Sequence, residues 1–328
     1  MNKNKVLHET RSLFMIILVA FLLKVTLIEA YIVPTGSMEK TIMIGDFLIG
    51  NRFVYGMRTP DWIGIPYTDI GVNIPFFRFP KFREPKQGDV IIFKYPRDPH
   101  LKYVKRCIAE PGDTLEIINR KVFINGSEFE LPENGRFILP MMSKDQKDQN
   151  IFMGKGNKDN FAQTVIPKKG DRILIGPETA LLVMQLMLMD DHELTLKNND
   201  GTFYFTMTDP ADIYRRKGSY DVFDNYYPNG NLLNPWSRNM PRGELLFDGQ
   251  PIMDLQEYEV EQNYYWAMGD NRDNSQDSRF INVIGYVPIE NLVGKAQFIF
   301  FSLENSRFFE IWKWPKAIRF DRLMKRIK

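Results

Sequence analysis

Four times along the chain, a Gly-Asp pair leads directly into a run of β-branched, aromatic or other apolar residues. The four pairs are Gly45-Asp46, Gly88-Asp89, Gly112-Asp113 and Gly170-Asp171. Glycine tolerates the positive φ that many tight turns require, and aspartate often bonds to the backbone of such turns. A turn that feeds a β-favouring run predicts a strand. This recurrence therefore predicts a mainly β fold.

Two other dipeptides, Asn125-Gly126 and Asp248-Gly249, follow short apolar runs. Both match the residue preference of two-residue hairpin turns, which join neighbouring antiparallel strands. The sequence thus predicts an antiparallel β-sheet core. We place this core in two parts of the chain, residues 34–128 and residues 246–302.

Residues 129–245 break the pattern with long polar loops. Within them, Ala180–Met189 is almost entirely apolar and follows Pro177-Glu178-Thr179, which is typical of the start of a helix. Ten residues are too few to cross a membrane, because a spanning helix needs about 20. We predict a buried helix in an inserted mixed α/β subdomain at residues 129–245.

The N-terminal region predicts a transmembrane helix at residues 12–33. Its apolar run is interrupted by Lys24, whose burial in a membrane costs on the order of 3 kcal/mol on insertion scales. A cleaved signal peptide is the alternative, but its cleavage site would place Ile28 where a small residue is required. Positive charges before the span predict that residues 1–11 are cytoplasmic and that the rest of the chain lies outside.

The charge distribution excludes some classes of function. The whole chain has a net charge of +2, but residues 307–328 alone carry +6, so the remainder is weakly acidic. This balance argues against a broad nucleic-acid surface. Cys107 is the only cysteine, and the three histidines are far apart in sequence, so we predict neither an intrachain disulfide nor a metal site.

The C-terminal residues 303–328 form a basic, aromatic tail. Tryptophan and phenylalanine alternate there with lysine and arginine, a composition typical of segments that lie at a membrane surface. A solvated basic tail explains the composition equally well. We therefore predict membrane lipid as a partner of this tail and keep a solvated tail as the alternative.

Two residues in separate stretches are candidates for nucleophilic chemistry. Ser37 lies in a Pro/Gly turn at residues 34–46, immediately after the apolar segment. Lys105 lies in a strand-like run at residues 103–108, where alternation gives it semi-apolar neighbours; burial would favour its neutral amine. The alternatives are an ordinary turn serine and a lysine whose ammonium reaches solvent.

A third stretch, residues 269–279, contains no apolar side chain and interleaves arginine with aspartate. A solvated loop is the simplest interpretation. At this density, however, arginine and aspartate can bond to each other and fix the shape of a loop.

Together, the three stretches resemble the bacterial type I signal peptidase family. The shared patterns occur in the family's order and cover roughly residues 34–127 and 245–300. They are the Ser-Met turn after an apolar segment, the run from Gly88-Asp89 through Tyr103-Val104-Lys105-Arg106 to Pro111-Gly112-Asp113, and the segment Gly269-Asp270-Asn271-Arg272-Asp273-Asn274-Ser275 continuing to Asp277-Ser278-Arg279.

The resemblance implies a role for each matching residue. Ser37 would be the nucleophile and uncharged Lys105 its base, a known alternative to the Ser-His-Asp arrangement. The other roles are orientation of the Lys105 amine by Ser275, oxyanion stabilisation by the Thr35 hydroxyl with the Ser37 N–H, and loop-holding ion pairs of Asp277 with Arg272 and Arg279.

The resemblance also implies a function and a location. It implies a serine endopeptidase that removes signal peptides from exported preproteins with small residues at positions −1 and −3. It implies no cofactor, a single-pass location in the bacterial inner membrane with an extracytoplasmic catalytic domain, and it allows a secretion translocase as a partner. The alternative is a catalytically silent, surface-anchored binding or assembly protein of the same fold, against which the joint presence of Ser37, Thr35, Lys105 and Ser275 argues. A self-cleaving repressor of similar core fold is excluded, because it would need an N-terminal DNA-binding domain where this chain has an apolar segment.

Overall fold

A computed structural model of the chain describes residues 8–16, 28–57, 59, 62–64, 71–75, 77–207, 232–233, 241–280, 284–304 and 317–328. Helix α1 covers residues 8–16, and helix α2 covers Ala180–Met189. The strands of the first half are β1 (Ile28–Ile32), β2 (Asp46–Asn51), β3 (Trp62–Gly64), β4 (Gly71–Asn73), β5 (Val90–Tyr95), β6 (Asp98–Ala109), β7 (Thr114–Ile118), β8 (Lys121–Ile124), β9 (Ser127–Phe129) and β10 (Phe161–Val165).

The remaining strands are β11 (Arg172–Leu174), β12 (Leu194–Asn198), β13 (Gly201–Phe205), β14 (Leu232–Leu233), β15 (Glu244–Phe247), β16 (Gln250–Pro251), β17 (Glu257–Glu259), β18 (Tyr264–Met268), β19 (Val287–Pro288), β20 (Leu292–Ser302) and β21 (Lys325–Arg326). Short 3₁₀ turns lie at Phe152–Gly154, Ile252–Asp254, Ile289–Asn291 and Phe320–Arg322.

The largest sheet has eight strands in the order β1-β2-β20-β5-β6-β18-β19, with β21 also paired to β20. All of its pairs are antiparallel. Strands from the two predicted parts of the core alternate within it, because β20 lies between β2 and β5 and β18 lies beside β6. The predicted mainly β fold with an antiparallel core is confirmed.

The four Gly-Asp pairs form the same turn. Each glycine has φ between 86° and 88°, which is the conformation that the third position of a type II turn requires. Each aspartate carboxylate accepts a hydrogen bond from the backbone N–H three residues earlier, at 2.7 to 3.1 Å. The recurring dipeptide thus encodes a closed turn directly before β2, β5, β7 and β11.

The inserted region contains the predicted helix and several strands. Helix α2 begins at Ala180 and ends at Met189, as predicted, and its neighbours β10 to β13 make the region mixed α/β. The region shares one apolar cluster with the core, since Phe152 and Phe161 pack against Trp266 of β18 with ring centroids 5.4 Å apart. The insertion is therefore built onto the sheet edge that carries β18.

The end of the predicted transmembrane helix requires a correction. Residues 28–32 form strand β1, paired with β2, because alternation buries Tyr31 and Val33 while Ile32 stays exposed. The earlier part of the prediction falls on α1 and on residues 17–27, which lie outside the described residues. No helix in the described ranges is long and apolar enough to cross a membrane.

Candidate active site

Ser37 lies in a loop that connects β1 to β2. Backbone hydrogen bonds from Val33 to Asp46 (3.0 Å) and from Gly45 to Val33 (3.1 Å) close the loop at its base. Met38 and Ile42 are buried in one apolar cluster beneath it. The loop therefore holds Ser37 at the surface of the main sheet, where its side chain is 7% exposed.

Lys105 reaches Ser37 from the middle of β6. Strand alternation places Tyr103 and Cys107 in one apolar cluster, whereas Val104 packs against the other. The Lys105 side chain is 4% exposed, and its Nζ lies 2.6 Å from the Ser37 Oγ. Two residues 68 positions apart in sequence are thus in hydrogen-bonding contact.

The surroundings of Lys105 favour its neutral amine. Burial lowers the pKa of Lys105 to about 8, while the carboxylates of Asp277 and Asp270 oppose that change. Within the described part of the chain, no carboxylate lies within ion-pair distance of its Nζ, so desolvation is not compensated by a direct partner. A buried, unpaired lysine amine can accept a proton from a neighbouring hydroxyl.

Gly269 lies where the polar segment at residues 269–279 packs against the Ser37 loop. A Cβ atom at this position would lie 2.2 Å from the Ser275 Oγ and 2.5 Å from the Ser37 carbonyl oxygen. Ser275 is buried, and no hydrogen bond joins its Oγ to Lys105. Its hydroxyl lies close enough to the Asp277 carboxyl to help lower the pKa of that group. Ser275 is therefore adjacent to the Ser37 backbone without bonding to the lysine amine.

The loop formed by residues 269–279 is held by a buried ion pair between Asp277 and Arg279. The Arg279 Nε and Nη2 atoms each lie 2.9 Å from an Asp277 carboxylate oxygen, and the Gly269 N–H also donates to this carboxylate at 3.0 Å. Burial by itself would raise the pKa of Asp277, but Arg279 holds the pKa below its usual value. The carboxylate stays ionised and fixes both ends of the loop.

The prediction of an ion pair for Arg272 is wrong in this structure. Its guanidinium is buried, yet two of its nitrogen atoms have no hydrogen-bond partner among the described residues. Both Asp277 oxygens are already bonded to Arg279, and both Asp270 oxygens are bonded to Arg106. Burial, with the nearby charge of Arg279, lowers the pKa of Arg272 to about 10.

Sequence reasoning missed a second buried ion pair, between Arg106 and Asp270. Arg106 donates to both carboxylate oxygens at 2.8 and 2.7 Å, and the Thr41 hydroxyl donates to the same carboxylate at 2.6 Å. Arg106 directly follows Lys105, and Asp270 directly follows Gly269. Adjacency to both motifs was the signal that could have identified this pair, which ties β6 and the loop to the Ser37 segment.

Thr35 is exposed and lies two residues before Ser37 in the sequence. Because this residue is exposed, its side chain can be reached by a ligand that approaches from solvent.

The arrangement does not suit a histidine-based mechanism. Both ring nitrogens of His192 are bonded to carboxylates, Asp248 at 2.9 Å and Glu261 at 3.0 Å. Although burial opposes it, these two carboxylates raise the pKa of His192. Among the described residues, no group of three or more His, Cys, Asp or Glu side chains could hold a metal ion. In the described site, the group beside the Ser37 hydroxyl is the amine of Lys105.

Comparison with known proteins gives a consistent set of relatives. A family model described as signal peptidase, peptidase S26, matches residues 6–301. Signal peptidase I of Rickettsia bellii (strain OSU 85-389) is 25% identical over 99% of this chain and 88% of that protein. Signal peptidase I of Rickettsia massiliae (strain Mtu5) is 27% identical over 99% of this chain and 95% of that protein. The crystal structure of a signal peptidase I from Enterococcus faecalis V583 is 16% identical and covers 65% of this chain and 97% of that chain, with a TM-score of 0.22.

Proposed function

The chain belongs to the signal peptidase family, peptidase S26, and we propose how it removes signal peptides. Ser37 attacks the scissile carbonyl, and Lys105 accepts the proton of the Ser37 hydroxyl. One observation carries this assignment, the 2.6 Å contact between the Lys105 Nζ and the Ser37 Oγ at a buried site. A serine hydroxyl is a weak nucleophile until a neighbouring base takes its proton. Lys105 is the described group in position to do so.

In the first half of the reaction, the neutral Lys105 amine takes the hydroxyl proton as the Ser37 Oγ bonds to the carbonyl carbon. The Ser37 N–H and the Thr35 hydroxyl stabilise the negative oxygen of the tetrahedral intermediate. The resulting ammonium then protonates the departing amine of the mature protein. In the second half, Lys105 accepts a proton from the water that attacks the ester between the signal peptide and Ser37. The resulting ammonium gives this proton to the departing Ser37 Oγ, which restores the hydroxyl and the neutral amine.

Ser275 and the buried ion pairs act on the position of these groups. We assign Ser275 to orienting the Lys105 amine during the reaction, through its Oγ near the Ser37 backbone. Hydrogen bonds of catalytic groups are often incomplete in a free enzyme and form when substrate binds. The loop at residues 269–279 and strand β6 are kept in place by two buried ion pairs, Asp277–Arg279 and Arg106–Asp270.

The substrates we propose are exported preproteins with small residues at −1 and −3. The decisive experiment incubates the purified full-length chain with a preprotein carrying alanine at both positions, and with matched substrates carrying a bulky residue at −1. We expect cleavage of the first substrate alone, at the predicted bond as read by mass spectrometry. If several such preproteins stay intact, the proposed activity is wrong, and the alternative of a catalytically silent binding protein gains support.

Gly269→Ala is expected to reduce the cleavage rate by at least about 100-fold, because angstrom-scale displacement of reacting groups has effects of this size. The added methyl would collide with the Ser275 Oγ and the Ser37 carbonyl oxygen. A matched control is Gly176→Ala, where the nearest atom to an added Cβ is the Thr179 Oγ1 at 4.0 Å. Equal rates for the two variants in the preprotein assay would contradict the close packing of these loops.

We also propose that the N-terminal apolar segment attaches the enzyme to the membrane. The apolar side chains of Leu13 to Ile16 in α1 are exposed, and residues 17–27 continue the apolar run. We expect the full chain to float with liposomes and a chain lacking residues 1–27 to remain in solution, while β1 is retained. If the truncated chain floats equally well, a different surface, such as the basic C-terminal residues, makes the membrane contact.

A further inference from the structure

The C-terminal residues 317–328 pack against the loop that carries Ser37. They lie beyond residues 6–301, the range matched by the family model. Strand β21 pairs with β20, and the Ile327 N–H donates to the Gln297 carbonyl at 2.8 Å. Ile327 is buried in the same apolar cluster as Met38 and Ile42 of the Ser37 loop. The segment is therefore part of the wall that supports the nucleophile.

Asp46 is the polar centre of this contact. It ends the Ser37 loop and is completely buried. Its carboxylate accepts hydrogen bonds from the Met43 N–H at 2.7 Å and the Ser302 hydroxyl at 2.6 Å. A buried carboxylate needs a positive partner as well, because unpaired buried charges are strongly unfavourable.

Arg322 supplies the closer of two positive partners from the C-terminal segment, the other being Arg319, whose Nη2 lies 3.8 Å from the Asp46 carboxylate. The Arg322 Nε and Nη2 atoms lie 3.0 and 2.5 Å from the two Asp46 oxygens, and the same Nη2 donates to the Thr41 carbonyl at 3.1 Å. The Arg322 side chain is 5% exposed, so this is a desolvated, forked contact with defined geometry. Arg322 thus bonds to the Ser37 loop at two points, four and nine residues after the serine.

Thr41 connects this contact to the active site. Its carbonyl accepts from Arg322, while its hydroxyl donates to Asp270 at 2.6 Å. Asp270 in turn is bonded to Arg106, which follows the base Lys105. A continuous set of hydrogen bonds therefore runs from the C-terminal segment, through the Ser37 loop, to the strand that carries the base.

We propose that Arg322 is a positioning residue for the reaction: its contacts with Asp46 and Thr41 hold the loop so that the Ser37 Oγ stays within reach of Lys105. This inference rests on the proposed roles of Ser37 and Lys105. It assigns to the C-terminal segment a part in catalysis, in addition to any contact with the membrane. Small displacements of a nucleophile have large effects on rate, so the effect should appear in the chemical step.

The test compares Arg322→Ala, Arg322→Lys and Arg326→Ala in the full chain. Arg326 is an exposed arginine of the same segment and serves as the matched control. We expect Arg322→Ala to lower kcat by about 10- to 100-fold with KM changed less than about threefold, because loop position affects bond formation more than binding. Arg322→Lys should recover part of the loss, and Arg326→Ala should match the wild type.

A purely stabilising role predicts a different result, which a fourth variant makes visible. Val183→Ala removes buried side-chain atoms from α2, so it lowers stability without touching the Ser37 loop. If kcat per folded molecule of Arg322→Ala equals that of Val183→Ala, the positioning role is wrong. If Arg322→Ala does not fold, Arg322→Lys decides by the same criterion: a wild-type kcat overturns the proposal. Loss of activity in Ser37→Ala is measured in parallel, so failure of the nucleophile assignment is distinguished from failure of this inference.

Discussion

Ser37→Ala is expected to lower kcat/KM for preprotein cleavage by on the order of 10⁶-fold, the size of the loss in kcat found when the nucleophile of a serine protease is removed. The variant lacks the oxygen that bonds to the scissile carbonyl, and no other hydroxyl contacts the Lys105 Nζ in the described structure. The measurement is single-turnover cleavage with the wild type and the variant at equal concentrations of folded enzyme.

Thr35→Ala is the matched comparison for this result. It removes one of two proposed oxyanion donors and leaves the nucleophile intact, so its expected loss is smaller, about 10²- to 10³-fold. Thr35→Ser retains a hydroxyl and should stay close to the wild type. Substantial cleavage by Ser37→Ala would contradict the assignment of the nucleophile. A Thr35→Ala loss as large as that of Ser37→Ala would instead indicate that the loop has been disrupted.

Lys105→Met is expected to abolish measurable cleavage while the protein remains folded. Methionine fills a similar volume but cannot accept the Ser37 proton. In the wild type, burial lowers the pKa of Lys105 to about 8, so activity should rise with pH through a midpoint near 8 as the amine loses its proton. About one-tenth of the amine would be neutral at pH 7. The measurement is a pH profile of kcat/KM from pH 5.5 to 9.5.

The same pKa also predicts a pH dependence of stability. In the unfolded chain a lysine has a pKa of about 10.4, so between pH 8 and that value the unfolded state binds more protons than the folded state. The contribution of Lys105 to the free energy of unfolding should therefore rise between pH 8 and about 10.4. Lys105→Met removes the cost of burying the ammonium, on the order of 3 kcal/mol below pH 8, and its stability advantage should shrink as pH rises.

Two outcomes would contradict the assignment of Lys105 as the base. One is a Lys105→Met variant that keeps most of its activity. The other is a wild-type pH profile that is flat between pH 6 and 9, since a lysine amine that gains and loses its proton in this range must affect the rate. Lys102→Met is a suitable control, because Lys102 lies on the same strand and is exposed.

Much of the fold could be predicted because its signals are local. The Gly-Asp turns, the Asn125-Gly126 and Asp248-Gly249 hairpins and helix α2 each depend on a few adjacent residues whose backbone preferences agree with the final structure. The end of the predicted transmembrane helix failed for the opposite reason. An apolar run at Ile28–Ile32 suits both a membrane helix and a strand, and pairing with β2 selects the strand.

The site divides in the same way. The motifs named Ser37, Lys105, Ser275 and Asp277 as candidates, and the structure brings all of them to one region. Which charges pair with one another could not be read from the motif, because Arg272 and Arg279 are chemically equivalent in the sequence. In the folded chain, Asp277 forms an ion pair with Arg279, and Asp270 forms one with Arg106. Arg272 is buried, and two of its nitrogen atoms have no hydrogen-bond partner among the described residues.

The sequence by itself determined the β-rich architecture and the identity of the candidate site residues. Turn propensity, strand alternation and the chemistry of a side chain each depend on one residue and its near neighbours in the sequence. The tertiary structure alone decided three things: the 2.6 Å contact of Lys105 with Ser37, the pairing of buried charges, and the attachment of Arg322 to the Ser37 loop. Apart from the Asp277–Arg279 pair, these contacts join residues 68 to 276 positions apart. Such contacts form only when the sheet brings distant strands together and excludes water from between them.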